Sequence, residues 1–171
     1  MGALAAAAAA IAFAAVGVLP SLHLTFNRTP SVPVGFYRTF PVDRAPRRGD
    51  LVEICLPDAL AAFASQRNYV PPGPCSAKTA PLLKYVAAVD GDRVDLDAAG
   101  VHVNGRILPG SRVLSRDEAG RGITHIRFTR YALHGDEVWL ATTAPNGWDS
   151  RYYGALPVRN IRAYAQAFVT W

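Results

Sequence analysis

The stretch PLLKYVAAV, residues 81–89, is an almost unbroken apolar run that contains a single lysine, Lys84. Its length and its aliphatic and aromatic content predict a buried strand over residues 82–89. Burial disfavours the charged form of a lysine and lowers its pKa, which suits a general base. The segment therefore predicts a core strand and a candidate base, unless the amine extends to solvent along the strand surface.

Short strand-like segments separated by turn residues occupy most of the remaining chain. They cover residues 51–56, 94–96, 101–103, 123–128, 137–141 and 164–169, and the second and third form a hairpin-like pair with a turn at Asn104-Gly105. Residues 58–68 (DALAAFASQRN) have helical spacing, with Asp58 placed to cap the helix. The chain of 171 residues is expected to form a mainly β, antiparallel domain with one short helix.

The N-terminal residues 2–22 carry no charged side chain and are dominated by alanine. A helix of that length could span about 30 Å of hydrocarbon. A cleavable signal peptide is the alternative, but a cut there would leave the nucleophile motif described below almost at a free terminus. We therefore expect residues 1–24 to form a membrane anchor, followed by a folded domain over residues 25–171 with a helix and cysteine-loop insertion at about 57–81.

The net charge of +5 is carried almost wholly by arginine, since the only lysines are Lys78 and Lys84. The arginines lie on no single stripe and accompany no nucleic-acid-binding motif, so no nucleic-acid partner is expected. Several of them follow the apolar segment, where the lipid of an inner membrane is the expected partner. Taken alone, the positive-inside rule would place the domain in the cytoplasm, in conflict with the cysteines and motifs below.

The two cysteines, Cys55 and Cys75, belong to no Cys-x-x-Cys pair, and the sequence has no His-Glu-x-x-His run. We therefore expect no metal and no organic cofactor. In an exported protein the two cysteines predict one disulfide, whereas in a cytosolic one they would remain buried thiols.

The segment Thr29-Pro30-Ser31-Val32-Pro33 places a serine in a stiff loop. Each proline keeps the preceding residue out of the helical region, so Thr29 and Val32 are expected to be extended. A fixed position suits a nucleophile, and the Thr29 hydroxyl could join the Ser31 N–H in an oxyanion hole. The alternative is an ordinary proline-rich turn. No Asp-His pairing supports a histidine triad, which leaves Lys84 as the candidate base.

The order and spacing of these segments resemble those of type I signal peptidases that use a Ser-Lys dyad, and in particular the TraF-like branch of conjugative transfer systems. The matching boxes are residues 29–37 (TPSVPVGFY), 48–52 (RGDLV), 82–92 (LLKYVAAVDGD), 101–105 (VHVNG), 135–139 (GDEVW) and 149–154 (DSRYYG). Together they extend over nearly the whole chain after the apolar segment, and their order is more specific than any one box.

The resemblance implies Ser31 as the nucleophile, Lys84 as the base, and Thr29 with the Ser31 N–H as the oxyanion hole. It also implies that Asp149 and Arg151 form an ion pair that supports the site. The implied fold is a signal-peptidase-like antiparallel β domain whose groove takes an extended protein substrate with small residues at the cut site.

Two positions depart from the family pattern. Many signal peptidases have a serine that holds the lysine where this chain has Gly147, and many have arginine after the lysine, where this chain has Tyr85. Orientation of Lys84 must then come from elsewhere, with Thr142 or Thr143 as candidates.

The implied activity is that of a membrane-bound serine endopeptidase in the periplasm, anchored to the inner membrane by one pass, that matures a conjugative pilin precursor. An acyl-enzyme would be resolved by water, or by the substrate's own amino terminus to give a head-to-tail ring. The alternatives are a catalytically weak periplasmic scaffold of the transfer apparatus, and a LexA-like self-cleaving repressor, for which the chain lacks a DNA-binding region.

Overall fold

The computed structural model describes residues 23–127 and 130–171. Residues 1–22 of the predicted anchor therefore lie outside the described residues. Within the described ranges, no helix is both long enough and apolar enough to cross a membrane.

The described residues form short strands with two short α-helices. The strands are β1 (Leu24–Asn27), β2 (Gly35–Phe40), β3 (Leu51–Ile54), β4 (Leu82–Ala88), β5 (Arg93–Leu96), β6 (Val101–Val103), β7 (Arg106–Ile107), β8 (Tyr131–Ala132), β9 (Glu137–Ala141), β10 (Leu156–Pro157) and β11 (Ile161–Thr170). The helices are α1 (Asp58–Gln66) and α2 (Ser150–Tyr153), and a 3₁₀ turn spans Val158–Asn160. The mainly β prediction is confirmed.

The strands pair antiparallel in two sheets. A seven-stranded sheet has the order β1-β2-β11-β3-β4-β9-β10, and a four-stranded sheet has the order β7-β6-β5-β8. One core cluster packs β3, β4 and β9 against α1, and a second surrounds Trp139 of β9 with apolar side chains of the smaller sheet. Because β9 contributes to both clusters, it joins the two sheets.

The first part of β4 has an unpaired edge. Leu82, Leu83 and Lys84 pair with β3 on one side, whereas pairing with β9 on the other side begins only at Tyr85. Backbone groups on that edge of residues 82–84 have no strand partner among the described residues. Such an edge can accept one further extended chain.

The insertion between β3 and β4 contains α1 and a proline-rich loop. A disulfide joins Cys55, directly after β3, to Cys75 in that loop, with the two Cα atoms 5.7 Å apart. The predicted capping role of Asp58 is wrong, since Pro57 is the N-cap residue and Asp58 lies in the first turn. There its carboxylate still opposes the helix dipole favourably.

Three further local predictions are corrected. Residues 123–127 form no strand, because their backbone amides bond to separate neighbours: Ile123 N–H to the Ser115 carbonyl and Ile126 N–H to the Arg151 carbonyl. The Asn104-Gly105 turn joins β6 to β7, whereas residues 97–100 join β5 to β6. The helix α2 adds to the single helix expected.

Candidate active site

The side chains of Ser31 and Lys84 meet although 53 positions separate them in the sequence. Lys84 is fixed by the β4 ladder, where it lies opposite Val52 of β3. Ser31 lies in the loop between β1 and β2. The Lys84 Nζ donates a hydrogen bond to Ser31 Oγ over 2.9 Å, which is the separation that a proton transfer between them requires.

The loop that carries Ser31 is held from below by Asn27, a residue that the sequence analysis missed. Asn27 Nδ2 donates to the Thr29 carbonyl at 2.7 Å and to the Val32 carbonyl at 3.0 Å, and Asn27 Oδ1 accepts from the Thr29 N–H. An asparagine that bonds to the backbone two residues later is a common turn-forming arrangement. The sequence Asn27-x-Thr29-Pro30 could therefore have predicted this turn.

Thr29 lies beside the serine, on the side that the extended-loop prediction indicated. Its Oγ1 is 3.2 Å from Ser31 Oγ and 3.0 Å from Asn27 Oδ1. The backbone N–H of Ser31 donates to no residue in the described part of the chain, whereas the Ser31 carbonyl accepts from Thr143 N–H at 2.9 Å. One amide and one hydroxyl thus lie beside Ser31 and are available to donate to a substrate oxygen placed there.

Lys84 is almost completely buried, with 2% of its surface exposed. Burial lowers the pKa of Lys84 from 10.5 to about 8; Asp149 opposes this shift and Arg151 adds to it. Near neutral pH a measurable fraction of the amine is therefore unprotonated and able to accept a proton.

Asp149 and Arg151 form the predicted ion pair, and both are 2% exposed. Arg151 Nε donates to Asp149 Oδ1 at 2.7 Å and its Nη2 donates to Oδ2 at 3.0 Å. Arg151 also donates to the carbonyls of Arg112, Pro145 and Gly147. The pair therefore fixes the segment after β9 that lies beside Lys84 and Ser31.

The space above Gly147 is filled by Thr142. A Cβ at residue 147 would overlap Thr142 Oγ1 and lie 2.7 Å from its Cγ2, so glycine is required as long as threonine is at 142. The Thr142 hydroxyl lies 3.2 Å from Asp149 Oδ2, and the Thr143 hydroxyl donates to the Ser31 carbonyl. Neither threonine bonds to Lys84, which corrects our expectation: they position the aspartate and the serine loop instead.

Ser31 and Lys84 lie in a cleft with a volume of about 950 Å³. Its walls include residues 67–72 of the insertion, residues 80–84 at the start of β4, and residues 146–148. A volume of this size accommodates several residues of an extended peptide. Among the described residues, no group of three or more His, Cys, Asp or Glu side chains could hold a metal ion.

A segment of the β7–β8 connection, residues 114–123, forms another wall of the cleft, and we call it the strap. Asp117 of the strap accepts hydrogen bonds from Tyr69 at 2.7 Å and from Arg121 at 2.8 Å. Burial opposes ionisation of Asp117, yet these hydrogen bonds lower its pKa to about 2. Asn146 donates to Glu118 on the other side, so the strap contacts both the insertion and the loop after β9.

The whole chain, residues 1–171, matches the family model described as signal peptidase, peptidase S26. The chain belongs to this family. Within it, the chain is 36% identical over 167 residues to a probable conjugal transfer protein TraF of Sinorhizobium fredii (strain NBRC 101917 / NGR234), an alignment that covers 95% of this chain and 87% of the relative. It is 33% identical over 175 residues to a plasmid transfer protein TraF of Escherichia coli, covering 99% and 94%. The predicted TraF-like branch is thereby confirmed.

A solved structure of a signal peptidase I from Enterococcus faecalis V583 is similar at a TM-score of 0.39 and 13% identity, over 70% of this chain and 96% of that one. The mainly β, curled antiparallel architecture described above rests on the strand pairing of this chain itself.

Proposed function

We propose that this S26 family member is a membrane-bound serine endopeptidase that uses Ser31 and Lys84 to mature a conjugative pilin precursor. The observation that carries the proposal is the 2.9 Å contact between Ser31 Oγ and the buried amine of Lys84. The names of the TraF relatives support a role in conjugative transfer.

The proposed reaction begins with Lys84 unprotonated. Its Nζ takes the proton of Ser31 Oγ as that oxygen attacks the carbonyl carbon of a small substrate residue. The oxyanion is held by the Ser31 N–H and the Thr29 hydroxyl. Protonated Lys84 then gives its proton to the leaving amine, which produces an acyl-enzyme on Ser31. Lys84 next activates water, which gives a cut chain, or the amino terminus of the substrate, which gives a ring.

The substrate is proposed to bind as an added strand on the unpaired edge of residues 82–84. That edge lines the cleft and ends at Lys84, so a strand bound there runs past Ser31. Backbone hydrogen bonds of this kind do not depend on the substrate's side chains.

The domain is proposed to lie in the periplasm, next to the inner membrane. The Cys55–Cys75 disulfide supports an oxidising compartment. Exposed aromatic side chains support proximity to lipid. Phe26 lies in β1, the strand that follows the apolar N-terminal segment. Its ring contacts that of Phe36, and the ring centroids of Phe26 and Trp171 are 6.2 Å apart. Trp171 is 70% exposed.

The nucleophile is tested by labelling the full chain with a fluorophosphonate, which phosphonylates activated serines: the serine oxygen attacks phosphorus and fluoride leaves. We expect labelling of the wild type, none of Ser31→Ala, and little of Lys84→Ala. Ser115→Ala is the matched control, since Ser115 is exposed and takes no part in the proposed reaction. A wild type that never reacts, or a Ser31→Ala variant that still does, would contradict the proposed enzyme.

The substrate is tested by co-expression with a candidate pilin precursor and measurement of the product's intact mass. A shortened product that depends on Ser31 and Lys84 supports maturation. A further loss of one water relative to the linear product indicates cyclisation, whereas the linear mass indicates hydrolysis. If the labelling succeeds but the pilin stays intact, the peptidase stands and the pilin assignment fails.

A further inference from the structure

The strand β3 carries one carboxylate, Glu53, although all four of its residues are buried. Only 9% of the Glu53 side chain is exposed. Burying a carboxylate is unfavourable unless a cation or hydrogen-bond donors compensate it. A carboxylate as buried as that of Glu53 therefore requires such a partner.

The protein itself compensates Glu53 poorly. Its carboxylate accepts no hydrogen bond from a described residue, and the nearest cation, Nε of Arg162, lies 3.9 Å from Oε2. That separation exceeds hydrogen-bond distance, and the Arg162 side chain is 44% exposed, so solvent weakens the attraction. Glu53 thus retains the capacity to accept hydrogen bonds from a ligand.

Glu53 lines the same cleft as Ser31 and Lys84. Two other acidic residues line it, but both are engaged: Asp117 with Tyr69 and Arg121, and Glu118 with Asn146. Among the described acidic residues of the cleft, Glu53 is therefore the one whose carboxylate is left for a ligand. The complement of a buried carboxylate is a cation that donates hydrogen bonds.

The strand register indicates how such a cation would arrive. Glu53 lies opposite Leu83, so their side chains share one face of the sheet, and the side chain of Lys84 is on the other. A strand added to the free edge of β4 lies two inter-strand spacings from β3, roughly 10 Å. A long side chain that crosses over Leu83 can bridge this separation, whereas a short one cannot.

We propose that Glu53 binds a lysine or arginine side chain of the protein substrate and so fixes which peptide bond lies at Ser31. The inference rests on the proposed function of the cleft, which it deepens by adding a basic residue to the small residues expected at the cut site. Because alternate residues of a strand face the same side, the basic residue must lie on the Leu83 face.

The test measures binding without turnover, using the full chain with Ser31→Ala in detergent micelles. The probes are fluorescent, N-acetylated alanine heptapeptides with one lysine at each position in turn, and each is paired with a norleucine peptide of similar shape. Dissociation constants come from fluorescence anisotropy. We expect lysine to bind at least about tenfold more tightly than norleucine at one position, or at positions two apart, because the new hydrogen bond is charge-assisted.

Two charge-neutral variants identify the carboxylate responsible. Glu53→Gln should abolish the lysine preference. Glu118→Gln is the matched control, since it removes the same charge from the same cleft while its amide oxygen can still accept from Asn146, and it should retain the preference. If Glu53→Gln does not fold, Arg162→Gln serves instead: it leaves Glu53 intact and removes the nearest competing cation, so the lysine preference should increase.

Equal binding of lysine and norleucine peptides at every position, or no binding at all, would overturn the proposal, as would a preference that persists in Glu53→Gln. A further probe is the alanine heptapeptide without its N-acetyl group. Glu53-dependent binding of that peptide alone would also overturn the proposal, because it would mean that Glu53 binds an α-amino group. Failure of the proposed function is seen separately, as absent fluorophosphonate labelling of the chain with Ser31 intact.

Discussion

Two buried cations lie in the same site, Lys84 in β4 and Arg151 in α2, and they differ in the hydrogen-bond acceptors that surround them. Arg151 has a bidentate aspartate and several backbone carbonyls as acceptors. Lys84 has one neutral hydroxyl as its hydrogen-bond partner among the described residues. Both are 2% exposed, so burial alone does not distinguish them. The number and charge of the acceptors do: Arg151 has a carboxylate and several carbonyls as partners, whereas Lys84 has a single neutral hydroxyl, and burial lowers the pKa of the lysine.

The largest effect should come from removing Arg151, the buried cation with the larger number of hydrogen-bond acceptors. Arg151→Met leaves Asp149 buried without its partner and removes the donor from several backbone carbonyls, so we expect the free energy of unfolding to fall by about 3–5 kcal/mol. Lys84→Met is the matched comparison, since it places the same side chain at an equally buried position, and it should cost little stability. Denaturant unfolding measures both. Equal losses in the two variants would show that the contrast between the cations is wrong.

The second effect concerns pH and follows from the pKa of about 8 for Lys84. Since the base acts when neutral, the labelling rate of Ser31 should rise about tenfold per pH unit below pH 8 and level off above it. In the unfolded chain the lysine has the ordinary pKa of 10.5. The unfolded state therefore binds more protons between about pH 8 and 10.5, so stability should rise with pH across that window.

The Lys84→Met variant checks the second half of this prediction, because it should lose that part of the pH dependence of stability. A labelling rate that is flat between pH 6 and 8, or that falls as the pH rises, would mean that Lys84 does not act as a neutral base.

The smallest effect concerns Gly147 and its neighbour Thr142, whose hydroxyl lies next to Asp149. Gly147→Ser should overlap Thr142 and destabilise the domain by about 1–3 kcal/mol. Adding Thr142→Ala makes room for the new side chain, so the double variant should recover part of the loss, which a double-mutant cycle measures. Additive losses would indicate that the two positions do not share one space.

The sequence predicted the features that depend on local pattern. The run at 82–89 corresponds to β4, residues 137–141 coincide with β9, and the two cysteines are joined. Ser31 and Lys84 were paired through the family resemblance together with the stiffness of the loop and the apolar context of the lysine. The two strand signals and the contexts of the serine and the lysine each lie within about ten consecutive residues, whereas the pairing of the two residues rested on the order of the boxes along the chain.

The features that the sequence did not indicate depend on contacts between distant segments. Tyr69 and Asp117 are 48 positions apart, and nothing near either residue predicts the hydrogen bond that joins the strap to the insertion. Residues 123–127 have the composition of a strand but lack a neighbouring strand that matches them along their length. The role of Thr142 became visible only when its side chain was found in the space above Gly147.

The cysteine bridge also makes the cleft sensitive to redox conditions. Cys55 directly follows the strand of Glu53, and Cys75 belongs to the insertion that walls the cleft, so one covalent bond ties the floor of the cleft to its side. Closing a loop of this size stabilises by about 3 kcal/mol in the chain-entropy model. A chain in which the two cysteines are reduced lacks this tie and should be less stable by about that amount. Recombinant protein for comparative assays should accordingly be prepared with this bond formed.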